Sequence, residues 1–241
     1  MPREARRAVA TLATILPAEV GDLMDHTPES AYAHLRDTHP ALFSSPRGDG
    51  AIDIMRWPMT EGQVLHRDEE RMVLEDPVVL PDGQHHRRLR IVPARPEPSV
   101  AVLAFLDGQV GLVDRFRHAT RTWQWEIVRG AGAGAAGVGV GDAQNAARQV
   151  KDLLGANASD VIGLGRVHPD PAILAEVVML YAARIDRVGE LGHGTGIRRA
   201  RVVAFAEAEQ MAVTGQITDA VTIASLFRAR QAGLGEEGSA S

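Results

Sequence analysis

The chain has 241 residues, of which 45% are hydrophobic and 24% are charged, a composition typical of a globular protein with its own apolar core. Its formal net charge of −5 argues against broad electrostatic capture of nucleic acid, so we expect no nucleic-acid partner. The absence of cysteine excludes disulfides, thiolate zinc sites and cysteine nucleophiles. No apolar run approaches the roughly 18 residues of a membrane span, so no membrane partner is expected.

Residues 1–59 predict a helical extension that ends in a linker. Apolar residues recur at helical spacing in VATLATIL, and the basic residues before it loosely mimic a signal peptide. Glu4 and the threonines interrupt that pattern, so we interpret the segment as the helix of a cytoplasmic protein. A second helix is predicted in TPESAYAHLRDTHP, with Thr27 as N-cap, Pro28 in the first helical position and an end before Pro40.

Residues 60–97 predict a small β subdomain. Two runs rich in β-branched residues flank the turn PDG at 81–83, whose proline and glycine favour the required dihedral angles. The basic run HHRR at 85–88 lacks partner ligands for a metal, so we interpret it as the solvated surface of a strand.

Residues 98–233 predict a mixed α/β domain, followed by a disordered tail at 234–241. A hairpin turns at Asp107-Gly108, and the strand WQWEIVR, a glycine-rich loop and a helix from Asp142 to Gly155 follow. The remaining predictions are a strand in EVVMLYAARI, a flexible loop in GELGHGTG, a strand in ARVVAF and two terminal helices.

The glycine run after WQWEIVR contains GAGAAG at 132–137, which fits the dinucleotide-binding pattern G-x-G-x-x-G. The loop spans about a dozen residues, too many for the tight turn that sets a phosphate on a helix N-terminus. The strands before it pair as hairpins, whereas that fold needs parallel βαβ units. A dinucleotide-binding domain is therefore the weaker interpretation.

The order of the motifs is more specific than any one of them. RFRHA, WQWEIVRG, the glycine loop, the helix ending at Gly155 and the stretch VTGQITDAVTIASLF follow one another along residues 62–233. This set resembles the Nudix hydrolase superfamily, within it the branch of ADP-ribose pyrophosphatases. The resemblance implies an α/β (α+β) Nudix fold, in which a mixed β-sheet lies sandwiched between helices.

The resemblance also exposes departures from the Nudix box, which reads Gly, five residues, Glu, seven residues, then Arg-Glu-aliphatic-x-Glu-Glu-x-Gly-aliphatic. Three positions keep the family's residue: Gly134, Arg148 and Gly155. Four positions that hold glutamate in the family differ: Val140, Gln149, Asp152 and Leu153.

The family's box glutamates ligate Mg²⁺ or Mn²⁺ that bridges a pyrophosphate and activates water. Here Gln149 offers only a neutral amide oxygen, Asp152 offers a carboxylate on a shorter stem, and Leu153 offers nothing. The resemblance therefore implies weak or absent Mg²⁺ binding, with Asp152 as the remaining metal ligand of this helix. The alternative is an ordinary amphipathic helix whose former metal face now packs in the core.

Carried over residue by residue, the family's catalytic positions fall on Glu126, Arg148, Gln149, Asp152 and Glu190, with His193 as a second candidate base beside Glu190. Its substrate contacts fall on Arg115, Arg117, His118, Trp125, Arg129 and Glu176. Purely structural roles compete with these: a solvated strand edge for the basic residues, core packing for the tryptophan, and a strand-start charge for Glu176.

Three functions stay open from the sequence. The first is a Nudix-fold protein that has lost hydrolysis and still binds a nucleotide diphosphate. The second is a working pyrophosphohydrolase whose metal ligands come from Asp152, Glu126, Glu176 or Glu190. The third is a repurposed pocket in a specialised pathway. The resemblance further implies a homodimer that swaps the β subdomain across a two-fold axis.

Overall fold

The computed structural model describes residues 27–45, 48, 50–55, 62–94, 98–131 and 142–235. The predicted helix in VATLATIL, most of the glycine run with Gly134 and Val140, and the last six residues lie outside the described residues. The described residues form two compact units. The first combines the residues before Pro98 with Asp170–Glu176, and the second combines Pro98–Pro169 with Val177 and the residues that follow it.

The first unit places one helix on a small antiparallel sheet. Helix α1 (Pro28–Thr38) begins as predicted, because the Thr27 side chain accepts a hydrogen bond from the Ser30 amide and Pro28 occupies the first turn. A 3₁₀ turn at Pro40–Phe43 follows. The strands are β1 (Asp53–Ile54), β2 (Gln63–Arg67), β3 (Arg71–Val79) and β4 (His85–Pro93).

In that sheet β3 is central, with β4 along one edge and β2 and β1 along the other. The predicted PDG turn joins β3 to β4, and Gly83 takes the positive φ of 82° that the turn requires. The Tyr32 hydroxyl donates to the buried carboxylate of Asp76 at 2.5 Å, and the Arg90 guanidinium pairs with the same carboxylate. This polar network joins α1 to the sheet within the apolar core of the unit.

The second unit is built on a seven-stranded mixed sheet. Its strands are β5 (Ser99–Leu106), β6 (Gln109–Arg117), β7 (Thr122–Glu126), β8 (Val128–Gly130), β9 (Ala158–Val167), β10 (Val178–Ile185) and β11 (Ile197–Val203). The order is β11-β6-β5-β10-β9, with β7 beside β6 and β8 beside β5. Strands β5 and β10 are parallel, whereas the other pairs are antiparallel.

Helices cover both faces of this sheet. Helix α2 (Asp142–Leu154) packs on one face, and helices α3 (Phe205–Val213) and α4 (Ala220–Gln231) pack on the other. Successive residues of β5 alternate between the two apolar clusters, as the pleat of a strand requires: Ala101 and Leu103 face α3 and α4, while Val100 and Val102 face α2. None of the helices within the described ranges is long and apolar enough to span a membrane.

Three local features differ from the sequence-based expectations. WQWEIVR forms two strands separated at Ile127, because the chain leaves β6 there and pairs with β5. Phe205, expected at the end of a strand, begins α3. The strand β9 was not predicted, since ASDVIGLGRV mixes polar residues and glycines without a strand pattern. Its backbone hydrogen bonds to β10 stabilise the strand instead.

Candidate functional site

The change of strand partner at Ile127 determines where the candidate acid Glu126 lies. Glu126 ends β7 opposite Val113 of β6, and the Ile127 amide donates to the Thr222 hydroxyl of α4 at 3.0 Å. A backbone group between two strands would otherwise be buried without a partner, which is costly. Helix α4 thus stabilises the crossing, and Glu126 is only 1% exposed.

The Glu126 carboxylate is bound by two arginines from the end of β6. Arg117 donates from Nε and Nη2 to the two carboxylate oxygens, both at 2.7 Å, and Arg115 Nη1 lies 3.9 Å from Oε1. Burial raises the pKa of Glu126, and the charge and hydrogen bonds of Arg117 oppose this rise. A carboxylate held in this bidentate manner is occupied as an acceptor on both oxygens.

Arg115 also links three segments of backbone. Its Nη1 donates to the carbonyl oxygen of Arg129 at 2.8 Å, and its Nε donates to that of Thr195 at 2.9 Å. The first bond ties β6 to β8, and the second ties β6 to the loop at 189–196. The guanidinium therefore fixes two chain segments around the carboxylate of Glu126.

A second acidic residue completes the charge cluster. Asp219 caps helix α4, where its Oδ2 accepts from the Thr222 amide at 2.8 Å and from the Thr222 hydroxyl at 2.6 Å. Its other oxygen lies 3.9 Å from Arg129 Nη1. We term the five charged residues the arginine cluster: Arg115, Arg117, Glu126, Arg129 and Asp219. Neither Asp219 nor Thr222 was predicted from the sequence as a site residue, although an Asp just before a helix is an N-cap signal.

Helix α2 presents a different chemistry from that of a metal-binding helix. Gln149 is 7% exposed, and its side-chain amide donates to the carbonyl oxygen of Ala131 at 2.8 Å. A Cβ on Gly130 would meet Gln149 Oε1 at 1.8 Å, so the glycine permits this close approach. Leu153 is 6% exposed and belongs to the apolar cluster beneath the helix.

Of Gln149, Asp152 and Leu153, only Asp152 is acidic. Its side chain is 53% exposed, and its Oδ2 lies 3.6 Å from Arg148 Nη1. Within the described ranges no three side chains of His, Cys, Asp or Glu come together as a metal could require. A hard divalent cation prefers several anionic oxygens, whereas this face offers an amide engaged in a backbone hydrogen bond, a leucine and one ion-paired carboxylate. The residues present therefore do not fit the magnesium centre that the fold family implies.

The loop at 189–196, which Arg115 holds at Thr195, is also tied to the end of α2. The amides of Gly189 and Gly192 donate to the carbonyl oxygens of Leu154 and Leu153, at 2.8 and 3.3 Å. Its two candidate bases, Glu190 and His193, are 82% and 91% exposed, and they contact each other at 2.9 Å. Thus the loop that we expected to be flexible is hydrogen-bonded near both of its ends, and the side chains of Glu190 and His193 face solvent.

The structure brings some predicted site residues together and separates others. Arg115, Arg117, Glu126 and Arg129 share the arginine cluster. His118 lies on an exposed turn against Arg121, and Trp125 packs partly in the core that faces α3 and α4. Glu176 belongs to the first compact unit.

Comparisons with known proteins support the fold. No family model and no curated protein matches the sequence. Among solved structures, one described as "Crystal structure of ADP compounds hydrolase" is similar with a TM-score of 0.60 and 14% sequence identity, over 78% of this chain and 96% of that chain. At this identity the likeness establishes architecture alone. The expected fold class is confirmed: a mixed α+β protein that is structurally similar to a Nudix hydrolase fold.

Proposed function

We propose that the protein binds a nucleotide diphosphate through the arginine cluster, and that metal-dependent hydrolysis is weak or lost. The observation that carries this proposal is that helix α2 offers few metal ligands. Gln149 donates a hydrogen bond to the carbonyl oxygen of Ala131, and Leu153 is buried in the core. The similarity to an ADP compounds hydrolase supports the ligand class.

The charges of the arginine cluster support binding without a metal. Its three guanidinium groups outnumber its two carboxylates, so the cluster carries one excess positive charge. The side chains of Arg115, Arg117 and Arg129 are 20%, 30% and 19% exposed, so each keeps an edge within reach of solvent. Guanidinium groups bind phosphate oxygens with short, charge-assisted hydrogen bonds, and here they take the role of counter-charge that a cation has in the family.

The competing function, a hydrolase that uses carboxylates from outside the box, requires acids that are close together and unengaged. Glu126 is bound on both oxygens by Arg117, Glu190 is exposed beside His193, and Asp152 is exposed beside Arg148. These positions argue against a shared cation.

A turnover assay tests the loss of hydrolysis. ADP-ribose and a nucleoside diphosphate sugar are incubated with the protein in excess Mg²⁺, or in excess Mn²⁺, and product is followed by chromatography. We expect turnover several orders of magnitude below the enzyme median of about 10 s⁻¹. A rate near that median would show that metal ligands come from elsewhere, and the proposal would be wrong.

We also propose a homodimer in which the first unit takes part. Strand β4 pairs with β3 along one edge, and along the other edge Ile91 bonds to residues 173 and 175. The stretch before it holds exposed residues, including Leu89 at 48%, and exposed strand edges favour pairing with another chain. Light scattering should give twice the chain mass of 25.9 kDa, and a monomer at micromolar concentration would contradict it. Cytoplasmic location stays a prediction, which cell fractionation tests.

A further inference from the structure

A bulge in β11 places two neighbouring arginines on one carboxylate. The pairing of β11 with β6 shifts register between Ile197 and Arg199, which leaves Arg198 as an extra residue. Successive strand residues normally point to opposite faces, and a bulge changes this alternation. Here the Nε atoms of Arg198 and Arg199 both donate to Oδ2 of Asp114, at 2.9 and 2.8 Å.

The shared carboxylate is buried, but the two guanidinium groups are not. Asp114 is 2% exposed, whereas the side chains of Arg198 and Arg199 are 46% and 58% exposed. A buried carboxylate requires compensating charge, so both arginines are held in place by it. Both arginines bond Asp114 through Nε, and Arg198 also does so through Nη2. The Nη1 atoms of the two groups have no hydrogen-bond partner within the part of the chain that the structure describes.

Two tryptophan rings lie close to these guanidinium groups. The Arg198 guanidinium lies 4.1 Å from the centroid of the Trp123 ring, and that of Arg199 lies 5.0 Å from the Trp125 ring. Phe116 meets Trp123 edge-on, with 5.5 Å between centroids. A guanidinium near the face of an aromatic ring is attracted to it, and Trp123 still exposes 43% of its surface. We name this surface, formed by Asp114, Trp123, Trp125, Arg198 and Arg199, the arginine clamp.

Asp114 of the arginine clamp and Arg115 of the arginine cluster lie on opposite faces of the sheet. Asp114 and Arg115 are consecutive residues of β6, and consecutive side chains in a regular strand lie on opposite faces of the sheet. Strand β6 pairs without a shift with β7 at this point, so the alternation holds there. The clamp also has two cations and one anion, which leaves an excess positive charge, and both cations are exposed.

We propose that the arginine clamp is a second binding site, for a nucleotide whose phosphate lies on Arg198 and Arg199 and whose base stacks beside Trp123. Two guanidinium groups side by side offer donors for the several oxygens of one phosphate. The single carboxylate of an acidic side chain has only two oxygens and would use fewer of these donors. Exposed indole and guanidinium planes are the surfaces on which nucleobases stack. The proposal does not depend on the function assigned to the arginine cluster.

Nuclear magnetic resonance provides a local measurement. The indole N–H signals of the ¹⁵N-labelled full chain are followed as AMP, inorganic phosphate or adenosine is added, and the Trp123→Leu variant assigns the signal of Trp123. We expect AMP to shift the Trp123 signal, with at least about tenfold tighter binding than phosphate or adenosine shows, because AMP alone supplies both charge and a stacking ring. Absence of an AMP-dependent shift at Trp123 would overturn the proposal, as would equal binding of AMP and adenosine.

Single substitutions then separate binding from structure. Arg198→Gln and Arg199→Gln each leave one arginine on Asp114, so the fold is kept, and each should weaken AMP binding at least about tenfold. Trp123→Leu keeps both arginines, so phosphate should still bind while the preference for AMP is lost; this variant is followed by calorimetry.

Arg201→Gln is the matched control, because Arg201 is an exposed arginine of the same strand that pairs with Glu207. It should leave AMP binding unchanged. If the two clamp variants melt as the wild type does and still bind AMP with wild-type affinity, or if the control weakens binding equally, the clamp is only a structural contact.

Discussion

The side-chain amide of Gln149 donates a hydrogen bond of 2.8 Å to the carbonyl oxygen of Ala131, the residue that follows β8. The bond joins helix α2 to the start of the glycine-rich run. A glutamate at this position would be an acceptor facing another acceptor. Gln149, at a position where the resemblance would place a metal-binding glutamate, thus supplies a donor that holds the backbone.

Gln149→Glu tests this relationship. The carboxylate would be buried against the carbonyl oxygen of Ala131 without a donor, so we expect a loss of about 1–3 kcal/mol in the free energy of unfolding at neutral pH. Gln144→Glu, at an exposed position of the same helix, is the matched control and should change little. Urea unfolding measures both, and an equal effect of the two variants would contradict this account of Gln149.

Glutamates introduced where the resemblance places metal ligands should not create a metal site. The triple variant Gln149→Glu, Asp152→Glu, Leu153→Glu buries a charge at Leu153, which belongs to the core, and we expect it to lose several kcal/mol of stability. Its melting temperature should fall equally in excess Mg²⁺ and in EDTA. The control is Asp152→Glu alone, at a half-exposed position. A melting temperature that Mg²⁺ raises would show that the face still accepts a metal.

Thr222→Val should weaken the crossing between β7 and β8. The Thr222 hydroxyl accepts from the Ile127 amide and donates to Asp219, and the variant leaves that amide buried without a partner. We expect a loss of about 1–3 kcal/mol in unfolding free energy. The matched control is Thr214→Val, whose hydroxyl donates to an exposed helix carbonyl. Similar losses in both variants would mean that the contact with Ile127 contributes little.

The pH dependence of stability should report the burial of Glu126. Because burial raises the pKa of Glu126 above its ordinary value of 4.5, the native state binds this proton more tightly than the unfolded state. The stabilisation that proton binding at Glu126 gives the native state is therefore full below about pH 4.5, and it is lost as pH rises through the native pKa of this group. Relative to Glu126→Gln, the wild type should lose unfolding free energy over that window. A difference that is flat with pH, or that grows in favour of the wild type, would contradict the direction of the shift.

Sequence patterns predicted the elements whose signals are local. Thr27 with Pro28, the turn at Asp107-Gly108 and Gly155 at positive φ each carry their own stereochemical reason, and the structure has them where they were predicted. The lack of several carboxylates on one face of α2 was also visible in the sequence, since it depends only on which residue types recur at helical spacing.

The features that the sequence did not predict depend on distant partners. Strand β9 owes its pairing to β10, and the crossing at Ile127 needs a hydroxyl 95 residues later in the chain. The bulge at Arg198 brings two arginines onto Asp114, which lies 84 and 85 residues earlier. Periodicity within a short window carries no information about such contacts.

Calorimetry of ADP-ribose binding tests the central claim most directly, because it compares the same protein with and without a divalent cation. The full chain is titrated with ADP-ribose in excess Mg²⁺ and again in EDTA. We predict binding in both, with dissociation constants that agree within about threefold, since guanidinium groups supply the counter-charge. Binding that Mg²⁺ tightens by about tenfold or more, or no binding in EDTA, would contradict the account.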